Sequence, residues 1–239
     1  KLEQQVQRAD RLSLIGEMAA GMAHEIRNPL MAIKGFAQLQ EESTTAQEQK
    51  EYNAIIVREV DRMNQLIEQL LYFSRPTLEQ VTLVDVNHVL NNTLMLVEMQ
   101  AKHFHTTFEV NMEPDLPTVN ANEEQLEQVF LNILINAIQA MDNAGTVGIS
   151  SHYDFSQHQI RIAIIDSGFG IAPENISKLF DPFFTTKATG TGLGLSVAQH
   201  IMEIWGGKIT VESELGKGST FSLIFPVAGG EADADRQSE

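Results

Sequence analysis

From Leu12 to Phe36 the side chains of Leu12, Ile15, Ala19, Met22, Ile26, Leu30, Ile33 and Phe36 recur at spacings of three and four. That near-heptad stripe belongs to a coiled coil or a helical bundle. It resumes with Tyr52, Ile56, Glu59, Met63, Leu66, Leu70 and Phe73, where the polar Glu59 is the weak member, and ends at Arg75-Pro76. A proline ring disfavours helix at the residue before it. The pattern predicts a helical hairpin over residues 1–76, turning at 41–45. One hairpin has too little apolar depth to be stable, whereas two copies build a four-helix bundle with a proper core. A homodimer is expected.

Residues 77–228 have a different texture. Short β-rich stretches at 106–111, 146–152, 159–165, 208–213 and 220–225 alternate with helix patterns at 87–101, 122–142 and 192–205. Together with the hairpin this is an α+β chain, its second domain an α/β sandwich with helices on one sheet face. The tail 229–239 is small and acidic and is expected to be disordered.

Composition narrows the chemistry. The length of 239 residues suits about two domains. There are no cysteines, which excludes disulfides, zinc fingers and thiol catalysis. A formal charge of −16 without a Lys/Arg cluster argues against a nucleic-acid partner. No apolar run approaches the ~20 residues that span a bilayer. The opening Lys1-Leu2-Glu3-Gln4 has neither an initiator Met nor a signal-peptide core. The chain is therefore expected to be a cytoplasmic fragment of a longer protein, with any sensor domain or membrane anchor upstream.

The first chemically informative stretch is His24-Glu25-Ile26-Arg27-Asn28-Pro29-Leu30. With Ala19, Met22 and Ile26 at core heptad positions, His24 falls on the solvent face. An imidazole with an ordinary pKa near 6.5 keeps a free lone pair at neutral pH and can act as a nucleophile. Glu25 can accept the other ring N–H and stabilise charge as the ring attacks. Asn28, one turn on, shares the face of His24 and could position a phosphoryl group or a hydrolytic water. Pro29 removes a backbone hydrogen bond and should bend the helix beyond the reactive turn.

A second cluster follows. On 122–142, Gln125, Gln128, Asn132, Asn136 and Gln139 form a carboxamide stripe opposite an apolar face. Solvated faces usually favour Glu and Lys, and an amide oxygen is a neutral hard ligand suited to Mg²⁺. Asn132 and Asn136 could hold metal and phosphates together. After the apolar strand Ile162–Ile165 comes Asp166-Ser167-Gly168-Phe169-Gly170. An Asp at a strand end can accept the exocyclic amine of adenine, and Gly168 and Gly170 allow close backbone approach. A simple β-turn explains DxGxG equally well. The run Gly190-Thr191-Gly192-Leu193-Gly194 opens a helix whose free N–H groups favour phosphate. No strand directly precedes it, so a Rossmann reading fails. Residues 171–191 have the size of a lid, with Phe180, Phe183 and Phe184 as its core anchors. Lys187 suits a phosphate or plain solvent equally.

The order of these motifs is more specific than any one of them. His24-Glu25-x-x-Asn28-Pro29 resembles the H box of sensor histidine kinases, Asn132-x-x-x-Asn136 the N box, and Asp166-x-Gly168-x-Gly170 the G1 box. Phe180–Phe184 is similar to the F box and Gly190–Leu195 to the G2 box. Within that family the chain looks most like the sporulation kinases of spore-forming bacteria. The resemblance implies a dimeric four-helix bundle followed by a Bergerat ATP-binding sandwich. It implies His24 as phosphoacceptor, Glu25 as its base and Asn28 as an aid to dephosphorylation. It further implies Asn136 as Mg²⁺ ligand, Asn132 on the phosphates and Asp166 as reader of adenine. The implied cofactors are ATP and Mg²⁺. The implied partners are a second copy, a response-regulator receiver domain and a proteinaceous inhibitor on the bundle. Gln139 and Asn122 depart from the family pattern, where Lys or Arg and Asp are common. The rival readings are an ATPase or serine kinase on the same nucleotide fold, and a phosphotransfer scaffold with a degenerate ATP site.

Overall fold

A computed structural model of the chain describes residues 26–41, 45–74, 81–141, 144–187 and 190–229. His24, Glu25, the linker at Pro76–Leu78 and the tail beyond Gly229 lie outside the described residues. The described parts of Lys1–Thr77 and Asp181–Leu193 form one compact unit, and those of Leu78–Phe180 and Gly194–Glu239 a second.

The first unit holds helix α1 over residues 26–41 and helix α2 (Ala46–Ser74). Glu41, the first residue of the expected turn, is still helical, and Thr45, its last, is a bend. Thr45 starts α2, exchanging hydrogen bonds with Glu48 through its Oγ1 at 2.8 and 3.2 Å. Thr45 Oγ1 accepts from Glu48 N as an N-cap does, while its hydroxyl donates to the Glu48 carboxylate. The rings of Phe36 and Tyr52 pack 5.8 Å apart and join the two helices. Leu30, Met31 and Leu39 on α1 and Val57, Val60 and Ile67 on α2 are nevertheless exposed. The described stripe residues other than Leu30 are half-buried, and these exposed side chains, mostly beside the stripe, leave the hairpin with bare apolar surface.

The second unit is built on a five-stranded sheet of order β2-β4-β5-β7-β6, comprising β2 (Thr106–Met112), β4 (Gly145–Asp154), β5 (Gln159–Asp166), β6 (Lys208–Glu214) and β7 (Gly218–Pro226). Strands β2 and β4 pair in parallel and the others antiparallel. Ile160, Ile162, Ile164 and Asp166 of β5 are buried, while Arg161 and Ile165 between them are exposed. That period of two marks a sheet with one covered face. The cover comes from α3 (Val86–His103), α4 (Glu123–Gln139) and α6 (Gly194–Ile204), which bury Leu90, Phe130, Ile133, Leu134 and Ile201 completely. Phe130 of α4 meets Phe225 of β7 edge-on at 6.4 Å. The short helix α5 (Pro173–Ile176) completes the helices of this unit.

A small antiparallel pair, β1 (Thr82–Val84) with β3 (Val119–Ala121), is absent from the sequence expectation. Three residues are too few to display a strand period. The helix expected at 122–142 is shorter at both ends. Asn122 is its N-cap, accepting from Gln125 N at 3.0 Å, and Ala140 closes it. Asn122 thus caps as an Asp would. Among the described residues no helix is long and apolar enough to cross a membrane.

At the end of β2 an exposed clasp ties two strands together. Glu113 Oε2 accepts from Tyr153 N at 3.0 Å and meets His152 Nδ1 at 2.6 Å. The Tyr153 N–H foremost, and His152 after it, hold the Glu113 carboxyl below its ordinary value against an opposing push from burial. A depressed carboxylate stabilises the fold fully above its unfolded value of about 4.3 and loses that contribution as pH falls through the lower folded value. Glu113→Gln should therefore lower the urea midpoint at neutral pH. The gap to the wild type should narrow as pH drops below about 4.3; a gap constant down to acid unfolding would contradict the assignment.

Candidate nucleotide and phosphoacceptor sites

Helix α4 presents two faces because its apolar and amide residues alternate at helical spacing. Asn132 is turned inward, with 9% of its surface exposed, while Asn136 one turn on is half-buried and Gln139 is exposed. The expected carboxamide stripe is therefore graded in depth. Gln128 Nε2 donates to Asn132 Oδ1 at 3.3 Å. Asn132 Nδ2 is buried and has no acceptor among the protein's described atoms. A donor left so costs about 1–3 kcal/mol, which is the demand a phosphate oxygen would meet. The amide also lies against the first residue of α6, since a Cβ on Gly194 would stand 3.3 Å from Asn132 Oδ1.

Asp166 ends β5 and is 3% exposed. Its Oδ1 accepts from Gly168 N at 3.0 Å and from Ser219 N at 3.1 Å. The second donor arrives through sheet register, because Asp166 faces Ser219 across the β5–β7 pair. Nothing in the order of the sequence marks Ser219. The glycines of the DxGxG segment answer to the protein's own backbone. A Cβ at Gly168 would come 2.4 Å from Ala140 O, the carbonyl that also accepts from Phe169 N. Gly170, at φ +67°, would place a Cβ 2.1 Å from Glu214 O. The close approach these glycines allow in the structure is to the chain's own backbone.

Lys187, Gly190, Thr191, Gly192 and Leu193 belong to the first compact unit. There Lys187 N is held by Thr185 Oγ1 at 3.1 Å, and Gly190 N donates to Lys187 O at 3.2 Å. Arg62 of α2 donates to Gly190 O at 3.4 Å. Phe183 N donates to Gly192 O at 3.0 Å, linking the Phe-rich segment to the glycine run. Phe180, Phe183 and Phe184, expected as core anchors of the lid, are half-buried. Gly194 falls in the second unit and begins α6.

Of the expected His24, Glu25 and Asn28, only Asn28 is described. It is exposed on α1, and Pro29 beside it is buried.

Comparison with known proteins adds independent findings. Residues 121–229 match the histidine kinase-, DNA gyrase B-, and HSP90-like ATPases, and residues 14–79 match the His Kinase A (phospho-acceptor) domain. The chain is 42% identical to the signal transduction histidine-protein kinase AtoS of Escherichia coli over 94% of its own length and 37% of AtoS. It is 36% identical to sporulation kinase E of Bacillus subtilis over 95% of its length and 30% of that protein. The solved complex of histidine kinase ThkA with response regulator protein TrrA is similar with a TM-score of 0.79 and 31% identity, covering 97% of this chain and 67% of the ThkA chain. The chain thus spans well under half the length of these two curated relatives.

Proposed function

The chain belongs to the sensor histidine kinases, and from that premise we propose that it binds Mg·ATP on its second unit and transfers the γ-phosphoryl group to His24. The observation that carries the nucleotide half is the buried, acceptor-less Asn132 Nδ2 close to the start of α6. A helix N-terminus and an unpaired amide donor together favour an anion.

In this reading Asp166, held by two backbone N–H groups, accepts the adenine amine. Asn132 donates to a phosphate oxygen, the start of α6 at Gly194 supplies further backbone donors, and Asn136 offers its amide oxygen to the metal. When bound, Mg²⁺ supplies charge neutralisation on the phosphates. The remaining task is positioning. A His24 ring nitrogen attacks the γ-phosphorus in line, a P–N bond forms, and the P–O bond to ADP breaks. Glu25 accepts from the other ring nitrogen. The phosphoryl group then passes to an Asp of a response-regulator receiver domain. ThkA, solved with such a protein, supports that choice of partner. Asn28, exposed on α1, orients the water of the reverse, phosphatase reaction.

The test is incubation with γ-labelled ATP and Mg²⁺. An acid-labile, base-stable label supports a P–N bond, and acid-stable label on Ser or Thr defeats the assignment.

The exposed apolar side chains of the hairpin are the seat of homodimerisation, with its outer surface open to a regulator or a proteinaceous inhibitor. Val57, Val60 and Ile67 recur on α2 at spacings of three and seven, as the seam of a bundle does. A charge at Val60 would be buried against the second copy. Val60→Glu should shift the chain from dimer to monomer in sedimentation at micromolar concentration, without altering nucleotide affinity. We place any sensor or membrane anchor in the upstream part of the parent protein.

A further inference from the structure

An asparagine amide can sit with either its oxygen or its nitrogen toward a given neighbour, and the two choices present opposite chemistry to a ligand. At Asn132 two features choose the orientation. Gln128 Nε2 donates to Oδ1 at 3.3 Å from one helical turn back. On the other side, Oδ1 lies against Gly194, the first residue of α6. The free N–H groups of a helix start favour a negative partial charge there. With the oxygen fixed by both, Nδ2 is left as a buried donor without an acceptor in the protein.

We infer that Gln128 is a positioning residue for phosphoryl transfer: by donating to Asn132 Oδ1 it holds the Asn132 amide with its nitrogen toward the nucleotide phosphates. This rests on the nucleotide reading above and extends it to a residue that needs no contact with the ligand. Without the Gln128 donor the amide is free to turn. It then spends part of its time presenting an oxygen to a polyanion. A carboxylate at position 128 makes matters worse, because an acceptor there draws Nδ2 away from the ligand.

The experiment is a double-mutant cycle on the full chain, read as affinity for a non-hydrolysable ATP analogue and for adenosine. Gln128→Leu should weaken the analogue about tenfold, the value of one hydrogen bond to a charged group, and leave adenosine unchanged. Gln128→Glu should weaken the analogue further. In an Asn132→Ala background Gln128→Leu should have no additional effect, and Gln128→Glu should retain only its direct charge repulsion. A merely structural Gln128 would weaken adenosine and analogue alike, or act equally with and without Asn132. Either result overturns the inference. Should the Leu variant fail to fold in a thermal melt, the Glu variant carries the same cycle. If Asn132→Ala weakens the analogue and Gln128→Leu does not, the inference fails and the nucleotide reading stands. If the wild type binds no analogue, both fall.

Discussion

His24→Gln should reduce incorporation of labelled phosphate by about three orders of magnitude or more, the scale on which loss of a nucleophile acts. Affinity for the ATP analogue should be unchanged. The expectation begins with helical phase. The heptad reading of the sequence, with Ala19, Met22 and Ile26 at core positions, predicts an outward position 24 and places Asn28, four residues on, on the same face. The described part of α1 bears on this phase, for Asn28 is exposed and Pro29 next to it is buried. Glutamine retains the polarity and similar bulk but has no lone pair of imidazole basicity. Loss of label with retained binding separates acceptor from nucleotide site. Persistent acid-stable label in the variant would favour the serine-kinase reading. Failure of both variant and wild type to bind nucleotide would favour the scaffold.

What could be read without coordinates depended on how far each feature announces itself along the chain. The α4 face carrying Phe130, Ile133 and Leu134 is legible because a helix repeats its core contacts every three or four residues, and β5 because its buried residues alternate. The pair β1–β3 is too short for any period to form. Residue depth is less legible than residue type. Asn132 and Gln139 belong to one amide stripe in sequence, yet the first is buried and the second exposed. The difference arises because Asn132 lies against the start of α6, some sixty residues further along the chain. Gly168 and Gly170 were expected to admit a ligand. Their tightest neighbours are the carbonyls of Ala140 and Glu214, a demand that only the folded path of the chain reveals. Ser219 is the extreme case, since it supports Asp166 solely through the register of β7 on β5.

That register makes a second variant unusually informative. Asp166→Asn should lower affinity for adenine nucleotides by about two orders of magnitude while leaving the fold intact, and should raise affinity for guanine nucleotides relative to adenine. Two backbone N–H groups, from Gly168 and Ser219, converge on Oδ1. Both are donors, so an introduced amide must turn its oxygen to them. The amide nitrogen then takes the place of the other carboxylate oxygen, and on the proposed reading of Asp166 the group offered to the base changes from acceptor to donor. Adenine presents an amine donor at that edge and would meet a second donor. Guanine presents a carbonyl, which the new N–H can satisfy. A buried, charged hydrogen bond is worth about 1.5–3 kcal/mol, and every 1.4 kcal/mol is tenfold in affinity, hence the magnitude. Asp166→Ala removes both roles and should weaken all nucleotides without changing their order. The check is a set of binding titrations with ATP and GTP analogues beside a thermal melt of each protein. Equal loss of both nucleotides in Asp166→Asn, with an unchanged melt, would mean that Asp166 does not read the base.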